Sequence, residues 1–147
     1  MSSLIKESSA SSFHAGDTLP QAIRHIKQED INLYAQASGD FNPIHIDEAF
    51  AARTPVGGTI AHGMLILAYV IQTITASFGP GWLSGGRLAV RFRTPARPGD
   101  TLAIGGKVKS IESQGGISYA TCNVVCHNQK GEVVINGEAR VGLPSQP

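Results

Sequence analysis

The sequence holds very little cysteine: two residues, Cys122 and Cys126, in a chain of 147. A disulfide-stapled fold is therefore excluded. Both thiols lie in a stretch patterned as a strand, where four residues span about 13 Å, beyond disulfide reach. They are expected to be reduced and buried, which fits a cytoplasmic setting. An excess of either charge is lacking too. Lys and Arg number 12 against 11 Asp and Glu, a balance that gives no reason to expect nucleic acid or an anionic membrane as partner. Long apolar runs are absent. The longest, Ile60 to Ile74, is interrupted by His62, Gly63, Gln72 and Thr73 and falls short of the roughly 20 apolar residues of a membrane helix. Residues 1–15 are Ser-rich, carry Lys6 and Glu7 and contain no apolar core of signal length, so no secretory leader is expected. They read as a flexible N-terminal tail, and residues 16–147 as one domain with one core.

What is present begins with a turn at Gly16-Asp17 and a weakly marked strand over residues 18–27. Glu29 to Ala37 reads as a short helix, with Ile31, Tyr34 and Ala35 on one face, ended by Gly39. A loop then runs from Asp40 to His45. Asp47 is placed to cap a second short helix, Glu48 to Arg53, and residues 54–58 form a breaker cluster. From His62 to Ser77 the pattern predicts a helix of four turns, about 24 Å long. Its apolar residues point in nearly every direction, and a helix apolar all round must be buried all round. In so short a chain one sheet covers one side, and a second copy of the chain is the economical cover for the rest. Phe78 to Gly86 reads as a Gly/Pro-rich loop carrying the single tryptophan, Trp82.

At Arg87 the period changes to two: Leu88, Val90 and Phe92 point one way, and Arg87, Arg91 and Arg93 the other. After a turn at Pro95–Asp100, residues 101–112, 117–127 and 132–143 read as three more strands. The last two are joined by a hairpin turn at Asn128-Gln129-Lys130-Gly131. The class is α+β: an antiparallel sheet with one long helix against it.

Three features carry candidate chemistry. Ser38-Gly39-Asp40-Phe41-Asn42-Pro43-Ile44-His45 packs an acid, an amide and an imidazole into a few residues stiffened by Pro43. An acid and an imidazole held at fixed separation suit proton transfer at both ends of a double bond, while a plain turn with local Asp and Asn hydrogen bonds is the simpler reading. Gly63, at the start of the long helix, admits two readings. Its amide is open to an oxygen gaining negative charge at the positive end of the helix dipole, or its missing side chain permits close packing of helix on sheet. The stripe Arg87, Arg91, Arg93 is spaced to grip phosphates, and is equally a solvated outer face; Lys107 and Lys109 can extend it. His62 is expected to hydrogen-bond neighbouring backbone. His14, His25 and His127 stand alone, and Tyr69 and Trp82 suit the core or its rim. His45 with Asp47 is too few ligands for a metal site.

The run Tyr34 to His45 followed by Ala61-His62-Gly63-Met64 resembles the MaoC-like, R-specific enoyl-CoA hydratase family. The likeness extends through Phe92 and Pro98-Gly99-Asp100-Thr101 to Gly137-Glu138-Ala139. The resemblance implies the hot-dog fold, an antiparallel sheet wrapped around a long central helix, and a homodimer or a dimer-based oligomer. It implies Asp40 and His45 as the catalytic pair. Asn42 would support the loop, and the Gly63 amide would hold a thioester carbonyl. Some short-chain relatives carry a helix serine where this chain has Ala68. The implied reaction is hydration of a trans-2-enoyl thioester to the (R)-3-hydroxyacyl thioester, or the reverse dehydration. No metal or cofactor is expected beyond the CoA or acyl-carrier-protein thioester itself. A thioesterase on the same fold, and a non-catalytic acyl-binding or supporting subunit, are the alternatives.

Overall fold

A computed structural model describes residues 13–144. The tail expected over residues 1–15 lies outside the described residues up to position 12. By Phe13 the chain is already packed, its ring 4.6 Å from that of Phe78.

Five strands form one antiparallel sheet: β1 (Thr18–His25), β2 (Arg87–Phe92), β3 (Thr101–Gln114), β4 (Ile117–His127) and β5 (Val133–Gly142), in the order β1-β3-β4-β5-β2. The last three form a meander. β2 does not pair with the strand that follows it. It lies at the far edge, joined only to β5, with Arg91 opposite Asn136 and Phe92 opposite Ile135.

Five helices complete the chain: α1 (Gln28–Ser38), α2 (Pro43–Ile46), α3 (Glu48–Ala52), α4 (Gly63–Phe78) and α5 (Pro80–Gly85). α4 lies against β1, β3 and β5. Its Leu65, Ile66, Val70 and Ile74 join the sheet's Leu102, Ile104, Val108, Cys122, Cys126, Ala139 and Val141 in one core. Alternation puts these strand residues on a single face, so the other face carries the polar members of the same strands. Trp82 is buried in this core as well.

Two elements differ from the sequence reading. Residues 80–85, expected as loop, form α5, because Trp82 anchors the segment in the core and Pro80 is tolerated in a helix's first turn. His45, expected on a loop, stands on the single turn of α2, started by the Asn42 cap and Pro43. The expectation that α4 is covered all round meets a sided helix within one chain. Met64 is 58% exposed, and Ala68, Gln72 and Ala76, each four residues on, continue the same open stripe. No helix among the described residues is long and apolar enough to cross a membrane.

Candidate active site

α1 delivers the chain to the site and stops there. Gly39 takes the left-handed conformation, φ 77°, and its N–H donates to the Ala35 carbonyl at 2.9 Å. A side chain at that position would cost about 1–2 kcal/mol. The turn beyond it is built by its own polar side chains. Asp40 Oδ1 accepts from the Asn42 N–H and Asn42 Oδ1 from the Ile44 N–H, both at 3.2 Å. Asn42 is thus the N-cap of α2, a role worth about 1 kcal/mol. The local turn and the acid–imidazole arrangement weighed against it from sequence are both present, because the turn is what holds the pair.

α2 carries His45 back over Asp40. The His45 Nδ1 lies 2.8 Å from the Ile60 carbonyl. A carbonyl only accepts, so Nδ1 carries the hydrogen and the neutral ring keeps its lone pair on Nε2. That nitrogen sits 3.9 Å from Asp40 Oδ2. The separation is too long for a direct hydrogen bond, and one water oxygen can contact both atoms. The Asp40 side chain is 53% exposed and that of His45 only 12%, so the acid faces the opening and the imidazole lines its wall.

Further groups hold His45 from behind. Gln28, opening α1, donates through Nε2 to the His45 carbonyl at 2.7 Å, and its Oε1 lies 2.8 Å from the Thr59 hydroxyl. The Thr59 N–H donates to Glu48 Oε2 at 3.1 Å. This network ties α1, α2, α3 and the segment before α4 together. It is invisible in sequence, since its members lie up to 31 positions apart.

His62 hydrogen-bonds to backbone, though not to its neighbours as expected: its Nε2 lies 3.0 Å from the carbonyl of Asp40, 22 positions earlier. The same ring stacks on His45, with centroids 3.9 Å apart and planes 27° from parallel. No local signal in the sequence points to this stack. Ligand atoms of Asp40, His45 and His62 lie within 4.8 Å of one another, a group that shares only His45 with the His45 and Asp47 pair weighed from sequence. A metal takes imidazole lone pairs in the ring planes; near-parallel stacked rings do not aim theirs at one point, so the residues fit a metal poorly.

Gly63 opens α4, where the first helical N–H groups have no partner within the helix. It is exposed in the single chain, so its amide is accessible. A Cβ there would come within 3.0 Å of the Phe92 ring, so close packing and an open amide hold together. Phe92, 54% exposed, lies beside Gly63, and the exposed Met64 follows it in the chain.

The arginine stripe has the exposed outer face that was one of its two readings from sequence. Arg87, Arg91 and Arg93 are exposed and share one face as expected, but it is the sheet face turned away from α4, because Phe92 between Arg91 and Arg93 points to Gly63. Arg93 Nε donates to Asn136 at 3.2 Å. Lys109, also on this face, pairs with Glu138 at 3.0 Å. A shallow hollow of about 590 Å³ there is lined by Arg91, Arg93, Asn123, Asn136 and Glu138 and includes neither Asp40 nor His45. The structure does not bring these arginines to the pair.

Residues 11–129 match the model of the MaoC like domain. The chain belongs to the MaoC-like family. It is 35% identical over 126 residues to a 3-hydroxybutyryl-CoA dehydratase of Methylorubrum extorquens, covering 84% of this chain and 76% of that protein. It is 35% identical over 122 residues to an (R)-specific enoyl-CoA hydratase of Rhodospirillum rubrum, covering 82% of each. Among solved structures, the R-hydratase PhaJ1 of Pseudomonas aeruginosa superposes with a TM-score of 0.78 at 30% identity, covering 91% of this chain and 84% of that one. The sheet and its central helix are thus the hot-dog fold shared with the R-hydratases.

Proposed function

We propose that this MaoC-like chain catalyses R-specific hydration of trans-2-enoyl-CoA thioesters and the reverse dehydration of (R)-3-hydroxyacyl thioesters. The observation that carries the reading is the gap between His45 Nε2 and Asp40 Oδ2, 3.9 Å wide, with the Nδ1 hydrogen already committed to Ile60. A water oxygen in that gap adds to C3 and gives up one proton to the pair, and the pair returns one proton to C2. Both transfers occur on one side of the substrate, with the shared water linking the two groups. Charge that builds on the thioester oxygen is met by the Gly63 amide at the positive end of α4. Asn42 keeps the carboxylate on its turn. The reaction calls for no group beyond the thioester itself. A second copy of the chain over the open stripe of α4 would shield the site from bulk water, and light scattering giving twice the chain mass at micromolar concentration checks this. Free Cys122 and Cys126 support a reducing compartment such as the cytoplasm.

The test is loss of enoyl absorbance from crotonyl-CoA, with a thiol reagent in parallel and chiral analysis of the product. Loss without thiol, giving R product, is expected; thiol release would move the chain to the thioesterases. The protein's own thiols do not confuse this assay. Burial pushes Cys122 up to about 11 and Cys126 to about 12, so at pH 8 both stay protonated and unreactive. Labelling of the folded protein within the assay time would contradict that.

A further inference from the structure

We propose that His62 is a positioning residue for the Asp40/His45 pair, holding both members with one ring. The role rests on that pair being the seat of the hydration. His62 is the residue from which α4 starts, and its carbonyl accepts from the Leu65 N–H at 3.1 Å. Its backbone is therefore fixed by the longest helix in the chain, while Asp40 and His45 sit on a turn and a single helical turn that have little rigidity of their own.

The His62 ring is 2% exposed and makes two different contacts. Its edge is polar: Nε2 must carry the hydrogen, because its partner 3.0 Å away is the Asp40 carbonyl oxygen. This fixes the backbone that carries the acid. Its face is the second contact: the stack on His45, 3.9 Å between centroids. His45 is pinned at Nδ1 by Ile60, which leaves its plane free to rock about that hydrogen bond. The stack removes the rocking, and with it the freedom of Nε2 to drift from Asp40 Oδ2. Among the described residues, Nδ1 of His62 is buried without a hydrogen-bond partner, a burden that a residue needed only to fill space would not carry. Phenylalanine would stack and fill the volume but could not anchor Asp40; glutamine could anchor Asp40 but could not stack.

Those two replacements separate the contacts. His62→Phe and His62→Gln are each expected to lower kcat about tenfold, since misplacement of reacting groups by about 1 Å costs up to 10²-fold. KM should stay within about twofold, because neither contact touches the thioester. The His62→Gln loss should vanish in a His45→Gln background and the His62→Phe loss in an Asp40→Asn background, where the group to be positioned is gone. A purely structural role would lower melting temperature and add its full loss in both backgrounds. Histidine ¹⁵N spectra of the resting protein give a readout that needs no turnover: His45 should show the Nδ1–H tautomer in the wild type and a mixture in His62→Gln, which loses the stack. Wild-type kcat in both variants, or an unchanged His45 spectrum in His62→Gln, would overturn the proposal. Were the wild-type chain to show no hydration while the His45 signals still moved, the positioning role would stand and only the reaction assignment would fall.

Discussion

Phe92 and Arg93 are neighbours in sequence and opposites in the fold. Phe92 turns toward α4 and lies against Gly63; Arg93 turns to the outer face, where it reaches Asn136. The inner face borders a half-exposed acid, a shielded imidazole and a helix start. The outer face carries charged side chains across β2, β3 and β5 and has the more evident hollow. Charge and concavity alone would place the function on the outer face. The proposed chemistry is on the inner one, because there an acid and an imidazole are held at fixed distance with the imidazole's tautomer fixed by a backbone carbonyl. A charged strand face marks exposure to water; a pair of unlike titratable groups fixed by backbone hydrogen bonds marks a site for proton transfer.

The largest effects should come from the inner face. Asp40→Asn and His45→Gln are each expected to lower turnover at least about 100-fold, or about 2.7 kcal/mol of barrier, with the fold intact by circular dichroism. Near wild-type turnover in either variant would remove that residue from the reaction. Gln28→Ala should act indirectly. It removes the donor to the His45 carbonyl, 2.7 Å long, and is expected to cost about 1 kcal/mol of stability by thermal melting.

Next in size is Gly63→Ala. Its Cβ would press on the Phe92 ring at 3.0 Å, and the tilt needed to relieve the contact would turn the amide from its target. About a tenfold loss of kcat is expected, less than for outright removal of an oxyanion donor. The ring is half-exposed and can be shortened without opening the core, so Phe92→Leu added to Gly63→Ala should recover most of the loss. Additive losses in the double variant would show that the two residues do not act through this contact.

These features differ in how far the sequence reveals them. Gly39 ending α1, Asp47 capping α3, the four turns of α4 and the hairpin at Asn128 to Gly131 are written in local signals: φ preference, cap chemistry and periodicity. So are Asp40, Asn42 and His45, which share one short stretch. Asn42-Pro43 is also a helix-start signal, and read as such it would have revealed α2 under His45. What is not local was not legible. The period of two says that Arg91 and Phe92 face opposite ways and not which way the site lies; that depends on β2 pairing with β5 at the sheet edge. Nothing near Gln28, Thr59 or His62 tells of contacts made 17 to 31 positions away.

The smallest effect is the sharpest test of the two faces. Arg87 and Arg91 were candidates for gripping the carrier's phosphates, and a grip of that kind would show in KM, since it touches carrier and not the reacting atoms. Their outer-face position predicts otherwise: in Arg87→Ala and Arg91→Ala, kcat and KM for an enoyl-CoA should both stay within about twofold of wild type. A rise in KM of about tenfold that fades with added salt would mean that the carrier passes around the β2 edge, its phosphates on the outer face and its thioester at Gly63. The edge strand would then be part of the substrate path. With the proposed second copy over the open stripe of α4, such a result would also require that copy to leave the edge at Arg91 uncovered.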